Sequence, residues 1–266
     1  MKTLFIVGGS SGIGYATAKK FLSEGYEVIN MSCTPCDLPS VTNLECNVTE
    51  RSVLDKHLEE LKEKSIDAFV YSAGFSMASP LEFVAEGDYR YLYEVNLFAF
   101  LHILRTLLPT LEKTSAKVCV VSSLASLAPI PFDAYYTSSK CAVNGAITAL
   151  RQELAESGVT LFAVLPGGVK TDFTSKRKVY PPAAVDGYAQ KMTLATDNLR
   201  DMEQNGSSPT KVADFIYKKT QKEKLLSALY PVAFPDKIVF FMLRLLPQIL
   251  IDKLINNVFF TSDTEA

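Results

Sequence analysis

Nowhere in the 266 residues is there an apolar run of the roughly 20 residues that a bilayer-spanning helix needs. The nearest approach, Ile238 to Ile251, is broken by Arg244 and Pro247 and bordered by Lys237, Asp252 and Lys253. Such a segment suits a buried or interfacial role, so peripheral membrane contact stays open while a span does not. There is no basic block, and the net charge is −2. That removes the electrostatic footprint of a nucleic-acid binder. Internal repeats and low-complexity tracts are absent, which excludes solenoids and disordered arrays. Cysteine is scarce, with five thiols, an odd number. They follow a start, Met1-Lys2-Thr3-Leu4, that runs straight into an apolar segment with no charged n-region and cleavage site. Reduced thiols in a cytosolic compartment are expected, not a disulfide framework. Cys33-Thr34-Pro35-Cys36 has C-x-x-C spacing, but no second pair at metal spacing accompanies it. It follows a second strand, unlike a thioredoxin-type motif, and reads as coincidence. No metal site is expected.

What is present is alternation. Short apolar runs at 4–7, 26–32, 44–48, 68–72, 117–122 and 159–165 read as strands. Helical segments are expected at 12–24, 51–64, 89–111 (ending near Pro109) and 136–157. Strands alternating with helices predict βαβ units, hence an α/β fold: a Rossmann-type, doubly wound parallel sheet with helices on both faces. The chain reads as one domain over 1–266. Residues 171–209, with Pro181-Pro182 and Gly206, read as a substrate lid with one or two short helices. Residues 225–260, rich in Leu, Ile and Phe at helical spacing, read as an apolar helical extension. Ligands of such sheets bind beyond the carboxyl ends of the strands.

The first strand leads into Gly8-Gly9-Ser10-Ser11-Gly12-Ile13-Gly14. Glycines allow a tight turn and close approach of backbone to a pyrophosphate, while a helix beginning at Gly12 offers free amides and its positive dipole end. Ser10 and Ser11 add hydroxyl donors. The spacing Gly8, Gly12, Gly14 resembles the G-x-x-x-G-x-G turn of the short-chain dehydrogenase/reductase family. The resemblance covers about 4–171 and implies about seven strands in the order 3-2-1-4-5-6-7. It also implies a nicotinamide dinucleotide. At the end of the second strand, where NAD-preferring members have a carboxylate, this chain has Ser32 and Cys33. That points to NADP, with NAD as the alternative, although the arginine of many NADP-dependent members is missing too. Cys46-Asn47-Val48-Thr49 resembles the family's Asp-Val stretch beside the adenine, and Tyr71-Ser72-Ala73-Gly74 its Asn-Asn-Ala-Gly. Pro166-Gly167-Gly168-Val169-Lys170-Thr171 resembles its Pro-Gly loop, which meets the nicotinamide carboxamide. The resemblance thus assigns Ser72, Ala73, Gly74, Pro166, Gly167, Val169 and Thr171 to the dinucleotide, beside Gly8, Ile13, Ser32, Cys33, Asn47 and Val48.

Tyr136 and Lys140 are four apart, so they share a helix face. A phenol ionises near pH 10, and a neighbouring ammonium favours its phenolate. Such a phenol can give a proton to a carbonyl or take one from an alcohol. Tyr15 and Lys19 have the same spacing without the same company. Tyr135 has Ser139, not lysine, at that distance. Tyr136-Thr137-Ser138-Ser139-Lys140 resembles the family's Tyr-x-x-Ser-Lys, and Ser123, at the end of Val120-Val121-Ser122-Ser123, stands at the family spacing from Tyr136. The resemblance implies that Ser123 holds the substrate oxygen, Lys140 also binds the nicotinamide ribose, and Asn96 holds a water that relays protons through the lysine.

The expected function is hydride transfer between nicotinamide and a carbonyl or alcohol. A non-catalytic dinucleotide sensor on the same fold is the alternative, set against it by the joint presence of Asn96, Ser123, Tyr136 and Lys140. Lys176-Arg177-Lys178 is either a solvated charge run or a greeting for an anionic group. The extension either walls the pocket or forms a channel or monotopic surface for a lipid-like substrate. Assembly as a homodimer or homotetramer, through the long helices, is also implied by the resemblance.

Overall fold

Every residue of β1 (Thr3–Val7) is buried, as a strand covered on both faces must be. The computed structural model describes residues 1–180 and 187–261. Parallel pairing joins β1 to β2 (Glu27–Ser32) and β4 (Ala68–Tyr71), and β2 to β3 (Val41–Glu45). On the other side β4 pairs with β6 (Lys117–Val121), β6 with β7 (Thr160–Leu165) and β7 with β9 (Leu229–Pro231). The sheet order is β3-β2-β1-β4-β6-β7-β9. This is the expected 3-2-1-4-5-6-7 once two short strands, β5 (Met77–Ala78) and β8 (Lys178–Val179), are set aside in a sheet of their own.

The pleat divides the core. Phe5 and Val7 face α2 (Arg51–Lys62), α4 (Ala99–Lys113) and α5 (Ala134–Glu153), through Leu54, Leu58, Phe100, Ile103 and Val143. Leu4 and Ile6 face α1 (Gly12–Ser23) and α7 (Pro209–Thr220), through Ala18, Phe21, Val212 and Ile216. The strand order reverses between β1 and β4, which opens a crevice at their carboxyl ends.

Several elements depart from the sequence reading for identifiable reasons. The third strand is Val41–Glu45 and not 44–48, because it is an edge strand, mostly exposed, without an apolar run to mark it. Cys46-Asn47-Val48 lies beyond it, where the Asn47 Oδ1 accepts from Thr49 N at 3.1 Å and turns the chain into α2. The segment expected as one helix over 89–111 is α3 (Glu86–Tyr93), a π-helical turn (Glu94–Phe98) and α4. Its last part runs through Pro109 to Lys113, since burial of Leu107 and Leu111 on either side offsets the one hydrogen bond that proline removes. The lid's helix, α6 (Ala189–Gln204), is longer than expected. It buries Met192, Ala195 and Leu199 on one face, the last two against Phe259. Pro181-Pro182 lies outside the described residues. The extension opens with strand β9 and only then becomes α8 (Phe234–Leu245) and α9 (Gln248–Phe260), divided by Pro247. Arg151 of α5 fastens its start, donating to Leu161 O at 3.1 Å, Ser227 O at 2.9 Å and Leu225 O. No helix among the described residues is long and apolar enough to cross a membrane.

Candidate active site

Beyond the carboxyl ends of β1, β4, β6 and β7 lies a cleft of about 660 Å³. One end is the glycine turn: Gly8, Ser10, Ser11, Gly12 and Ile13 line it. Gly8 and Gly12 have φ of +84° and +55°, a region that side chains oppose. A Cβ on Gly14, which lies beneath the turn, would sit 1.9 Å from Gly8 O. The helix α1 opens at Gly12 with no acidic residue in its first turn, so its positive end is not neutralised. These features fit a pyrophosphate.

The middle of the cleft is lined by Ser72, Ala73 and Gly74 after β4, by Ser123, Tyr136 and Lys140, and by Pro166, Gly167, Val169 and Thr171 after β7. Asp133 precedes α5, so Tyr136 and Lys140 fall on the first two turns of one helix face. Both are buried. The Lys140 Nζ lies 5.7 Å from the Tyr136 ring centre and donates to Val121 O at 3.0 Å. An ammonium has three protons to give. Burial lowers the Lys140 pKa to about 8. Burial pushes the Tyr136 phenol up, while the Ser123 hydroxyl beside it pulls the other way. Among protein groups, then, desolvation outweighs the activation expected from the ammonium, and Tyr136 holds its proton at neutral pH. Ser123 also caps the turn that follows, its Oγ accepting from Ala125 N at 3.1 Å. Tyr135 points elsewhere and stacks on Tyr89, with ring centres 4.8 Å apart.

Asn96 lies one layer behind the cleft, in the π-helical turn. Its Oδ1 accepts from Phe75 N at 3.1 Å, and its Nδ2 donates to Phe75 O at 3.1 Å and Ser139 Oγ at 3.0 Å. The turn is held from below by Tyr71, whose hydroxyl donates to Val95 O at 2.6 Å. Thus the tyrosine found where the family has an asparagine makes a hydrogen bond of its own. Ser32, Cys33, Asn47 and Val48 are not brought to the cleft wall. The Ser32 hydroxyl already donates to Thr34 O at 2.6 Å and accepts from Asn30 Nδ2 at 2.8 Å. Cys33 is exposed and Val48 packs in the core.

The sequence reading missed a buried polar cluster. Arg177 is not part of a solvated run. Its Nη2 meets Glu203 Oε1 at 2.5 Å and its Nε donates to Ser76 Oγ at 2.8 Å, while Lys178 pairs with Asp88. Beside Arg177 lies Asp133, fully buried, near Ser76 and Met77 but with no well-aligned hydrogen bond to either oxygen among the described residues. Burial raises its pKa to about 7, with the Arg177 charge, the Met77 backbone and the Ser76 hydroxyl opposing. The one signal for it is its place three residues before Tyr136, the helical spacing that shares a face. Because the folded-state value is raised, this group favours folding fully only below about pH 4. The contribution is lost as pH rises towards about 7, where the folded carboxyl ionises. Asp133→Asn is therefore expected to leave the melting temperature near pH 4 almost unchanged. At pH 8 it should add on the order of a few kcal/mol to stability. Melting curves at both pH values check this, and an equal shift at both would contradict it.

The far wall of the cleft is apolar: Leu199 and Met202 of α6, Met242 of α8, and Ile251, Leu254 and Phe259 of α9. The comparisons with known proteins agree with this architecture. The family model described as short chain dehydrogenase matches residues 2–179. An NADPH-dependent 3-dehydrocapnine reductase from Ornithobacterium rhinotracheale is 32% identical over 195 residues, covering 67% of this chain and 69% of its own. A 3-ketodihydrosphingosine reductase from Bacteroides thetaiotaomicron is 25% identical over 259 residues, covering 91% and 96%. A short-chain dehydrogenase from Burkholderia cenocepacia, solved in complex with NADP, superposes with a TM-score of 0.76 at 18% identity, covering 96% of this chain and 99% of its own.

Proposed function

Because the chain belongs to the short-chain dehydrogenase/reductase family of oxidoreductases, we propose that it reduces a carbonyl on an apolar, lipid-like substrate, with Tyr136 as the proton donor and NADP(H) as the dinucleotide. Bound nicotinamide supplies or accepts the hydride. The turn from Gly8 to Gly14 holds the pyrophosphate, with Ser10 and Ser11 as added donors. Ser72, Ala73, Gly74, Pro166, Gly167, Val169 and Thr171 flank the rest of the dinucleotide. Ser123 positions the substrate oxygen against the Tyr136 hydroxyl. Lys140 holds a positive charge beside the phenol and keeps protons free for a ribose. Asn96 acts as a positioning residue, bracing the Phe75 backbone beside Gly74.

The observation that carries this reading is the placement of Tyr136 and Lys140, buried on one helix face, in the same cleft as the glycine turn. The apolar far wall supports a lipid-like substrate, as do the names of the two reductases above. NADP is favoured over NAD because no carboxylate ends β2. The whole chain acts as one catalytic domain in a cytosolic, thiol-reducing compartment. Copies pair through α4 and α5 into a dimer or tetramer. The test is dinucleotide consumption across a panel of short- and long-chain ketones and aldehydes, with NADPH and NADH in parallel. Turnover rising with chain length and faster with NADPH is expected. Tight dinucleotide binding without turnover of any carbonyl would instead make the chain a sensor.

A further inference from the structure

The helices α8 and α9 are apolar on both sides. One side of each lines the cleft, through Met242, Leu243, Ile251 and Ile255. The other side faces outward: Phe234 is 72% exposed, Phe241 61%, Leu245 81% and Ile249 66%. A cluster of exposed large apolar side chains on neighbouring helices marks an interaction site. The two sides meet. Val239, Met242, Leu254 and Val258 line the cleft and are also 38–46% exposed, so the mouth of the cleft opens within the patch.

Charge identifies the partner. From Leu225 to Phe260 the bases Lys237, Arg244 and Lys253 stand against the acids Asp236 and Asp252, and Lys218, Lys219, Lys222 and Lys224 come just before, in a chain whose net charge is −2. Both acids are engaged locally: Asp236 accepts from Ala233 N at 2.9 Å and Asp252 from Gln248 Nε2 at 2.8 Å. An apolar extension with a small positive excess thus sits on an anionic body. In a two-fold dimer through this face the patch would face itself, bringing the cations Lys237, Arg244 and Lys253 of both copies to one interface. An anionic lipid surface complements both features.

We propose that the α8–α9 face seats on an anionic lipid bilayer, with the cleft mouth turned to the acyl region, so that an apolar substrate reaches Tyr136 without crossing water. This rests on the oxidoreductase reading above and adds the partner to it. The test is co-sedimentation of the full chain with vesicles of phosphatidylcholine alone or mixed with phosphatidylglycerol, without dinucleotide or substrate. Binding to the anionic vesicles, weakened by salt, is expected. Phe241→Asp with Leu245→Asp, at positions outside the cleft lining, should lower it by about tenfold or more, with turnover of a water-soluble ketone unchanged. Lys237→Glu with Lys253→Glu should abolish the preference for phosphatidylglycerol. Should the aspartates unfold α8, this charge-reversal pair decides, because it leaves the apolar side chains in place. Wild type that binds neither vesicle would overturn the proposal, as would variants that bind like wild type. So would light scattering showing that the aspartates split a dimer that ignores vesicles. Vesicle binding without turnover of any carbonyl would overturn the oxidoreductase reading and leave this one standing.

Discussion

Replacing Tyr136 by phenylalanine is expected to lower kcat/KM by about 10²–10⁴ while leaving dinucleotide affinity within about twofold of wild type, the range general acid catalysis contributes. The substitution removes one hydroxyl and keeps the ring. The ring retains its packing on Phe173, with centres 5.9 Å apart, and its contact with Lys140. The glycine turn is built from other residues. A change confined to turnover therefore reports the proton alone. Direction follows from the electrostatics. Burial favours the neutral phenol, the form that donates to a carbonyl, so reduction needs no prior ionisation of Tyr136. Lys140, lowered to about 8 by burial, is charged below that pH and neutral above it. Reduction should therefore slow as pH rises through about 8. Rates of the Tyr136→Phe variant and a pH profile of wild-type reduction, each under saturating dinucleotide, check both points. Undiminished turnover in the variant would remove Tyr136 from the chemistry.

The sequence was legible where chemistry and chain order coincide. Gly8 to Gly14 form one continuous turn, and Ser123, Tyr136 and Lys140 stand at or just beyond the end of one strand and on the next long helix. In a parallel sheet that places them at one edge. It was illegible where a residue's meaning comes from across the fold. Arg177 sits between two lysines and reads as solvated, yet Ser76 and Glu203 enclose it. Asp133 carries no local mark of burial, because the covering residues belong to the lid and the β5 strap. Val41–Glu45 lacks an apolar stripe since it closes an open edge of the sheet, where its partner strand supplies the pairing. Pro109 argued for a helix end on local grounds that packing overrode. At the adenine end, local hydrogen bonds that sequence does not display set the shape: Ser32 is engaged by Thr34 and Asn30, and Asn43, accepting from Cys36 N at 2.8 Å, pins the turns that follow.

Gly14→Ala is expected to lower dinucleotide affinity by about 100-fold, near 3 kcal/mol. Overpacking of about 1–3 kcal/mol should also lower the melting temperature by several degrees. The added Cβ would lie 1.9 Å from Gly8 O, 2.8 Å from Gly8 C and 3.2 Å from Gly9 Cα. All three are backbone atoms, so no rotamer relieves the clash. Helix α1 cannot withdraw without unseating Ala18 and Phe21 from the core. The turn has little room on its other side, since a Cβ on Gly8 itself would lie 2.7 Å from Ala73 N. The pyrophosphate cradle must therefore deform. Gly25 provides the control. Its φ is +81° with nothing within 4 Å of an added Cβ, so Gly25→Ala should cost about 1 kcal/mol of backbone strain and leave affinity unchanged. Calorimetric titration with NADP and thermal melts of both variants separate the two effects. Equal affinity in Gly14→Ala and Gly25→Ala would mean that the dinucleotide does not rest on this turn.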